Sequence, residues 1–237
     1  MNSSIELGPL LIKESWIVLS IASIFGYLLL AYFSSLKGKA WKPFREQIGN
    51  GIIFFIVFYM FGSIIFNLPV FFSDPLAVLS YPSGKKELYV AFVVMTIYWT
   101  VMSLKTHTPI FEYLYASLYI LLPAKFGFAF FEGKSGEVVG EYLVFIVPWT
   151  HHPVSLYSMV ISGGLLIWLI TMKNTNEGKK TGLLFLVWVF SEFLINMTLA
   201  FPQFFGIPVT LYFYLFLFGL GVYYTVFNQI NIKKVHS

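Results

Sequence analysis

Long apolar runs separated by short polar stretches follow one another through this chain, and few folds accommodate that pattern. Seven runs are near the 17–25 or so residues that cross about 30 Å of hydrocarbon. They lie at about 15–33, 52–72, 88–102, 109–131, 153–172, 183–199 and 209–227, the third being the shortest. The runs are continuous rather than alternating, which predicts helices and argues against a β-barrel. Charged residues make up only 11% of the chain, against about 25% in soluble domains. The fold class expected is therefore an all-α polytopic membrane protein, with about seven transmembrane helices in one bundle. Residues 1–237 read as a single integral membrane domain with a short outer loop at about 132–152. The segment 142–149 is apolar but too short to span, and is predicted to lie at the interface or re-enter.

Cysteine is absent, which excludes disulfides, thiolate metal sites and cysteine nucleophiles. The basic residues set a topology instead of a nucleic-acid surface. With the N-terminus outside, the inner segments hold Lys37, Lys39, Lys42, Arg45, Lys105, Lys173, Lys179, Lys180, Lys233 and Lys234. The outer ones hold Lys13, Lys85, Lys86 and Lys134, so the positive-inside rule favours N-outside and C-inside. In the first run the basic cluster follows the apolar stretch, the pattern of an anchor and not of a cleavable signal peptide.

Ionisable residues inside apolar runs carry the sharpest physical signal, since a Lys or Asp at mid-helix costs roughly 2.5–3.5 kcal/mol on insertion scales. Lys125 lies about two turns from the outer end of the fourth run, beside Pro123. It has the charge to hold a lipid phosphate, or to snorkel to the headgroups. Glu192 falls near the middle of the sixth run, with Asn196 one turn on and on the same helix face. Its alternatives are a functional carboxylate or a protonated one hydrogen-bonded within the bundle. Glu112, near the inner end of its run, reads as interfacial.

His151-His152-Pro153 opens the fifth run, with proline suited to the first helical turn. His152 there is a candidate base or phosphate ligand, or simply a helix cap. Adjacent histidines point in different directions and no third ligand is suitably spaced, so no metal site is predicted.

The segment His152-Pro153-Val154-Ser155-Leu156-Tyr157, followed by Gly163, resembles the His-Pro-x-Gln-Leu-Tyr-Glu segment of the prolipoprotein diacylglyceryl transferase family. Leu7-Gly8-Pro9 through Trp16 resembles that family's N-terminal Gly-Pro-x-x-Ile-Arg-Trp-Tyr stretch. Ser83-Gly84 through Tyr89 sits where the family has a Gly-Gly motif followed by His or Tyr, and Lys125-Phe126-Gly127-Phe128 takes the place of its Arg-x-Gly-Asn signature. Residues 178–182 and 190–197 track its Gly-Gln-x-x-Gly and Arg-Phe-x-x-Glu segments.

The resemblance implies an enzyme of a bacterial plasma membrane that moves a diacylglyceryl group from a phosphatidylglycerol-like phospholipid to the lipobox cysteine of an exported prolipoprotein. No cofactor is implied. Such transfer needs a base for the thiol and cations for the departing glycerophosphate. Carried over by position, the catalytic candidates are His152, Lys125 and Glu192. Tyr89, Tyr157, Ser155, Asn196 and Gly127 are the substrate-binding candidates. Lys125 keeps the charge of the signature arginine but not its bidentate fork, and Glu192 and Asn196 stand where the family has Arg and Glu. Two alternatives remain at this point: a non-catalytic binder of lipid or lipoprotein, and a transporter using Glu192 and Lys125 as intramembrane charges. An enzyme requires Lys125, His152 and Glu192 to converge on one cavity at the outer leaflet.

Overall fold

The apolar runs close their backbone hydrogen bonds internally, as helices must in lipid. The computed structural model describes residues 4–7, 10–36, 38–79, 83–139, 149–171 and 178–235. A hairpin of β1 (Ser4–Leu7) and β2 (Leu10–Lys13), with Ser4 opposite Lys13, leads into α1 (Glu14–Phe33). Then come α2 (Lys42–Phe61) and three short helices: α3 (Ser63–Phe66), α4 (Leu68–Ser73) and α5 (Pro75–Leu79). The long helices α6 (Lys85–Thr106), α7 (Ile110–Glu132), α8 (Val154–Thr171) and α9 (Gly178–Met197) follow. A second hairpin, β3 (Gln203–Phe204) and β4 (Ile207–Pro208), precedes α10 (Leu211–Val235).

Among the described residues, four helices are long and apolar enough to cross a membrane: α6, α7, α8 and Lys180–Met197 of α9. The apolar parts of α1, Ile17–Phe33, and of α10, Leu211–Thr225, are shorter. The chain is thus an all-α protein of membrane-spanning character. The second apolar run is not one helix. Helix α2 begins ten residues before it, in the polar stretch from Lys42, and ends at Phe61. Beyond it the Asn67 amide donates to the Ser63 carbonyl at 2.8 Å, an alternative to the helical ladder. Pro69 and Pro75 each remove a backbone donor. The segment predicted to re-enter falls, apart from Trp149, outside the described residues.

Helix α7 is the most enclosed of the four spans and packs against α1 on one side and α8 on another. Small residues bring α1 and α7 together. A methyl group placed on Gly26 would overlap the Tyr119 carbonyl and lie 2.8 Å from the Ile120 Cα, and one on Gly127 would lie 3.0 Å from the Ala22 Cβ. Residues 22 and 26 therefore meet 127 and 119, so the two helices run antiparallel. Pro123 lacks the N–H that would bond the Tyr119 carbonyl four residues back, and Gly26 covers that carbonyl closely.

These pairings sort the helix ends. The start of α1, the end of α7 and, across the short turn at His107, the start of α6 share one end of the bundle. The end of α2 joins them, because the Tyr59 hydroxyl donates to the Ser83 carbonyl at 3.3 Å. Glu112 is buried near the other end, in the first turn of α7, where the helix dipole favours a carboxylate.

Candidate functional site

Lys125 lies seven residues before the end of α7, about 10 Å along the axis at 1.5 Å per residue. Its ammonium is 2.7 Å from Oε2 of Glu192 on α9, and the two residues are 7% and 1% exposed. The sequence singles out each of these charges, and the fold pairs them. Glu192 is five residues from the end of α9 and within one turn of the centre of Lys180–Met197. Among the described residues, its Oε1 has no hydrogen-bond partner.

The pair stands beside a small polar cavity. Lys125, Glu132, Ser155, Ser158, Asn196 and Gln203 give it polar side chains, with Phe128 and Phe205 as aromatic walls. It has room for about one water molecule, roughly 10 Å³. A larger ligand therefore requires the wall to move.

The cavity wall is fixed by hydrogen bonds that use most of its polar atoms. The Asn196 amide nitrogen donates to the Glu192 carbonyl at 2.9 Å, and its oxygen accepts from the Gln203 N–H at 2.8 Å. The Gln203 side chain donates to Glu132 at 2.9 Å, while its carbonyl accepts from the Tyr214 hydroxyl at 2.8 Å. Asn196→Leu leaves the Gln203 N–H without its acceptor and is expected to cost about 1–3 kcal/mol, read as a lowered unfolding temperature in detergent.

The hairpin that carries Gln203 has a two-residue turn in which Phe205 (φ 48°) and Gly206 (φ 77°) are both left-handed. Such turns usually hold Asn-Gly; phenylalanine there costs roughly 1–2 kcal/mol. The ring so placed lies 5.6 Å from the Lys125 ammonium and packs edge-on against Phe128 at 5.5 Å. A cation–π contact of this kind is worth about 0.5–2 kcal/mol, which offsets the strain.

After α7, Gly133 turns the chain left-handed (φ 59°) into a strap across the ends of α8 and α9. The Lys134 N–H donates to the Ser155 hydroxyl at 2.6 Å, and the Ser155 N–H donates back to the Lys134 carbonyl at 3.1 Å. Gly136 donates to the His152 carbonyl at 2.7 Å, and Glu137 donates to the Thr198 carbonyl at 2.9 Å. Burial pushes the Lys134 ammonium below its ordinary range; Glu132 opposes that shift and Lys125 adds to it.

Of the residues picked from sequence, Lys125, Ser155 and Asn196 line the cavity and Glu192 pairs with Lys125. His152 does not line it. Its Nδ1 is 3.5 Å from the Tyr157 hydroxyl, and its backbone serves the strap through Gly136 and Glu137. Gly127 belongs to the contact with α1. Tyr89 packs on Phe213 and Phe216, with ring centroids at 5.5 and 5.0 Å, and does not line the cavity. Glu132, Gln203 and Phe205 were missed, although a lone glutamine within Phe201-Pro202-Gln203-Phe204-Phe205 is a signal that could have found one of them. Among the described residues, no three His, Asp or Glu side chains gather as a metal site would require. No protein-family model matches the chain, and no curated protein matches it.

Proposed function

We propose that the chain engages a phospholipid headgroup at the outer face of a bacterial plasma membrane and acts as a divergent diacylglyceryl-transferase-like enzyme. The observation that carries this reading is Lys125, a buried cation beside a polar cavity near one end of apolar helices. Burying an ammonium and a carboxylate together is often no better than an apolar pair, so their retention calls for a use. In this reading the lipid phosphate replaces Glu192 as the partner of Lys125, and Phe205 moves with the lysine. The thiol of an exported prolipoprotein gives up its proton to a base, and its sulfur attacks the diacylglycerol carbon that carries the phosphate ester oxygen. The carbon–oxygen bond breaks, and glycerophosphate departs against Lys125.

A second reading, a non-catalytic binder of lipid or lipoprotein, is favoured by the position of His152. The imidazole, which the transferase reading needs as base, does not line the cavity. A transporter gains no support from a cavity near one end of the helices.

The test is transfer from labelled phosphatidylglycerol to a lipobox peptide by the reconstituted protein. Wild type is compared with His152→Ala and with the paired substitution Lys125→Met/Glu192→Leu, which removes both charges. Transfer abolished by both sets of changes supports the enzyme reading. Phosphatidylglycerol binding that needs Lys125, without transfer, supports the binder. Transfer or binding indifferent to Lys125 overturns the site.

A further inference from the structure

The short helices between α2 and α6 expose apolar side chains densely. Ile65, Phe66, Leu68, Val70, Phe72 and Leu76 are all exposed within twelve residues, Phe72 at 81% and Leu76 at 76%. Hydrogen bonds fix the level of this segment relative to the spans. The Tyr59 hydroxyl donates to the Ser83 carbonyl at 3.3 Å, the Ser83 hydroxyl to the Met60 carbonyl at 3.3 Å, and the Ser63 hydroxyl to the Val78 carbonyl at 3.4 Å. The end of α2 is thus level with the start of α6, a helix long and apolar enough to span. Residues 63–79 leave and return at that level.

Their backbone is also built to run without a single continuous ladder. Asn67 bonds the Ser63 carbonyl, and Asp74 caps α5 by accepting from the Ala77 N–H at 3.1 Å. Non-helical backbone exposed to lipid is excluded from the hydrocarbon centre, but the headgroup layer supplies water and polar partners. Charge agrees with that level. Lys85 and Lys86 open α6, and the Lys86 ammonium lies 5.7 Å from the Phe66 ring. Cationic groups placed beside interfacial apolar ones suit phospholipid phosphates above acyl chains.

We infer that residues 63–79 form an in-plane segment docked in the headgroup–acyl boundary of the bilayer, at the same end of the bundle as the Lys125 cavity. Phe72 and Leu76 point into the acyl layer, and Asp74, Lys85 and Lys86 stay at the phosphate level. The occupant of this apolar face is phospholipid, not a protein partner, because the exposed apolar surface runs on from Met60 and Phe61 at the end of α2 and cations stand beside it.

The chain has no cysteine, so one introduced thiol is unique in it. Ile65→Cys, Phe72→Cys, Asp74→Cys and Leu76→Cys would each be labelled with a nitroxide in vesicles of phosphatidylcholine and phosphatidylglycerol. Collision with oxygen and with a water-soluble nickel complex is then compared. At positions 65, 72 and 76 oxygen should dominate, all at one shallow depth of about 5–10 Å below the phosphates, with the preference reversed at 74. A depth increasing steadily from 65 to 76 means a continuing span and overturns the inference. Nickel dominating at 72 and 76 means that the segment stands in water, and overturns it equally. Both residues are exposed, so their replacement leaves the packing of the bundle intact.

Discussion

Lys125→Met alone is expected to cost about 3–5 kcal/mol of stability, because it leaves the Glu192 carboxylate buried without its cation. Glu192→Leu should cost a similar amount by stranding the ammonium. The paired substitution Lys125→Met/Glu192→Leu should cost far less than the two losses added, since it removes both desolvation penalties and leaves apolar groups of comparable size. Thermal unfolding of the four proteins in one detergent gives the coupling directly. Losses that simply add would mean that the two charges do not act on each other, whatever their separation of 2.7 Å. The paired variant also separates fold from function. A stable protein that no longer binds phosphatidylglycerol assigns Lys125 to the ligand, whereas unchanged binding makes the pair purely architectural.

The second large effect is expected at Gly26. A methyl group there meets the backbone of Tyr119 and Ile120 on α7, and backbone cannot swing aside as a side chain can. Gly26→Ala should force α1 away from α7 and cost about 1–3 kcal/mol, the usual range for overpacking. Gly164→Ala is the matched control. Nothing lies within 4 Å of the added group, so alanine there should be neutral or add about 0.5–1 kcal/mol through lower chain entropy. Unfolding temperatures of the two variants should therefore move apart. Equal tolerance of alanine at both positions would remove Gly26 from the helix contact.

Hydropathy located α1 and α6–α10 to within a few residues at most ends because one long apolar run and one lipid-crossing helix are nearly the same physical object. It failed over 52–72 because an average over a window does not register a single Asn67 or a proline. Those residues act on individual hydrogen bonds, and the helix ends at Phe61 although the apolar run continues. Among the described residues four helices meet the length and apolarity of a span, and the apolar parts of α1 and α10 are shorter. The charges were visible one at a time. That Lys125 and Glu192 meet depends on how α7 and α9 pack, which no local spacing encodes. Gly127 drew attention through a motif, but its position is explained by Ala22 on a distant helix. Gln203 and Phe205 depend on a left-handed turn, and the Phe-Gly sequence there does not announce one.

The antiparallel contact between α1 and α7 also bears on the order in which the protein is made. Helix α1 is synthesised early, whereas the surface that receives Ala22 and Gly26 belongs to a helix that is synthesised only after α2 and α6 are complete. Until then Ala22 and Gly26 lack the surface they meet in the finished bundle. The contact between α1 and α7 can therefore form only once α7 has been made, whereas α2 and α6, which pack on each other, can pair before it.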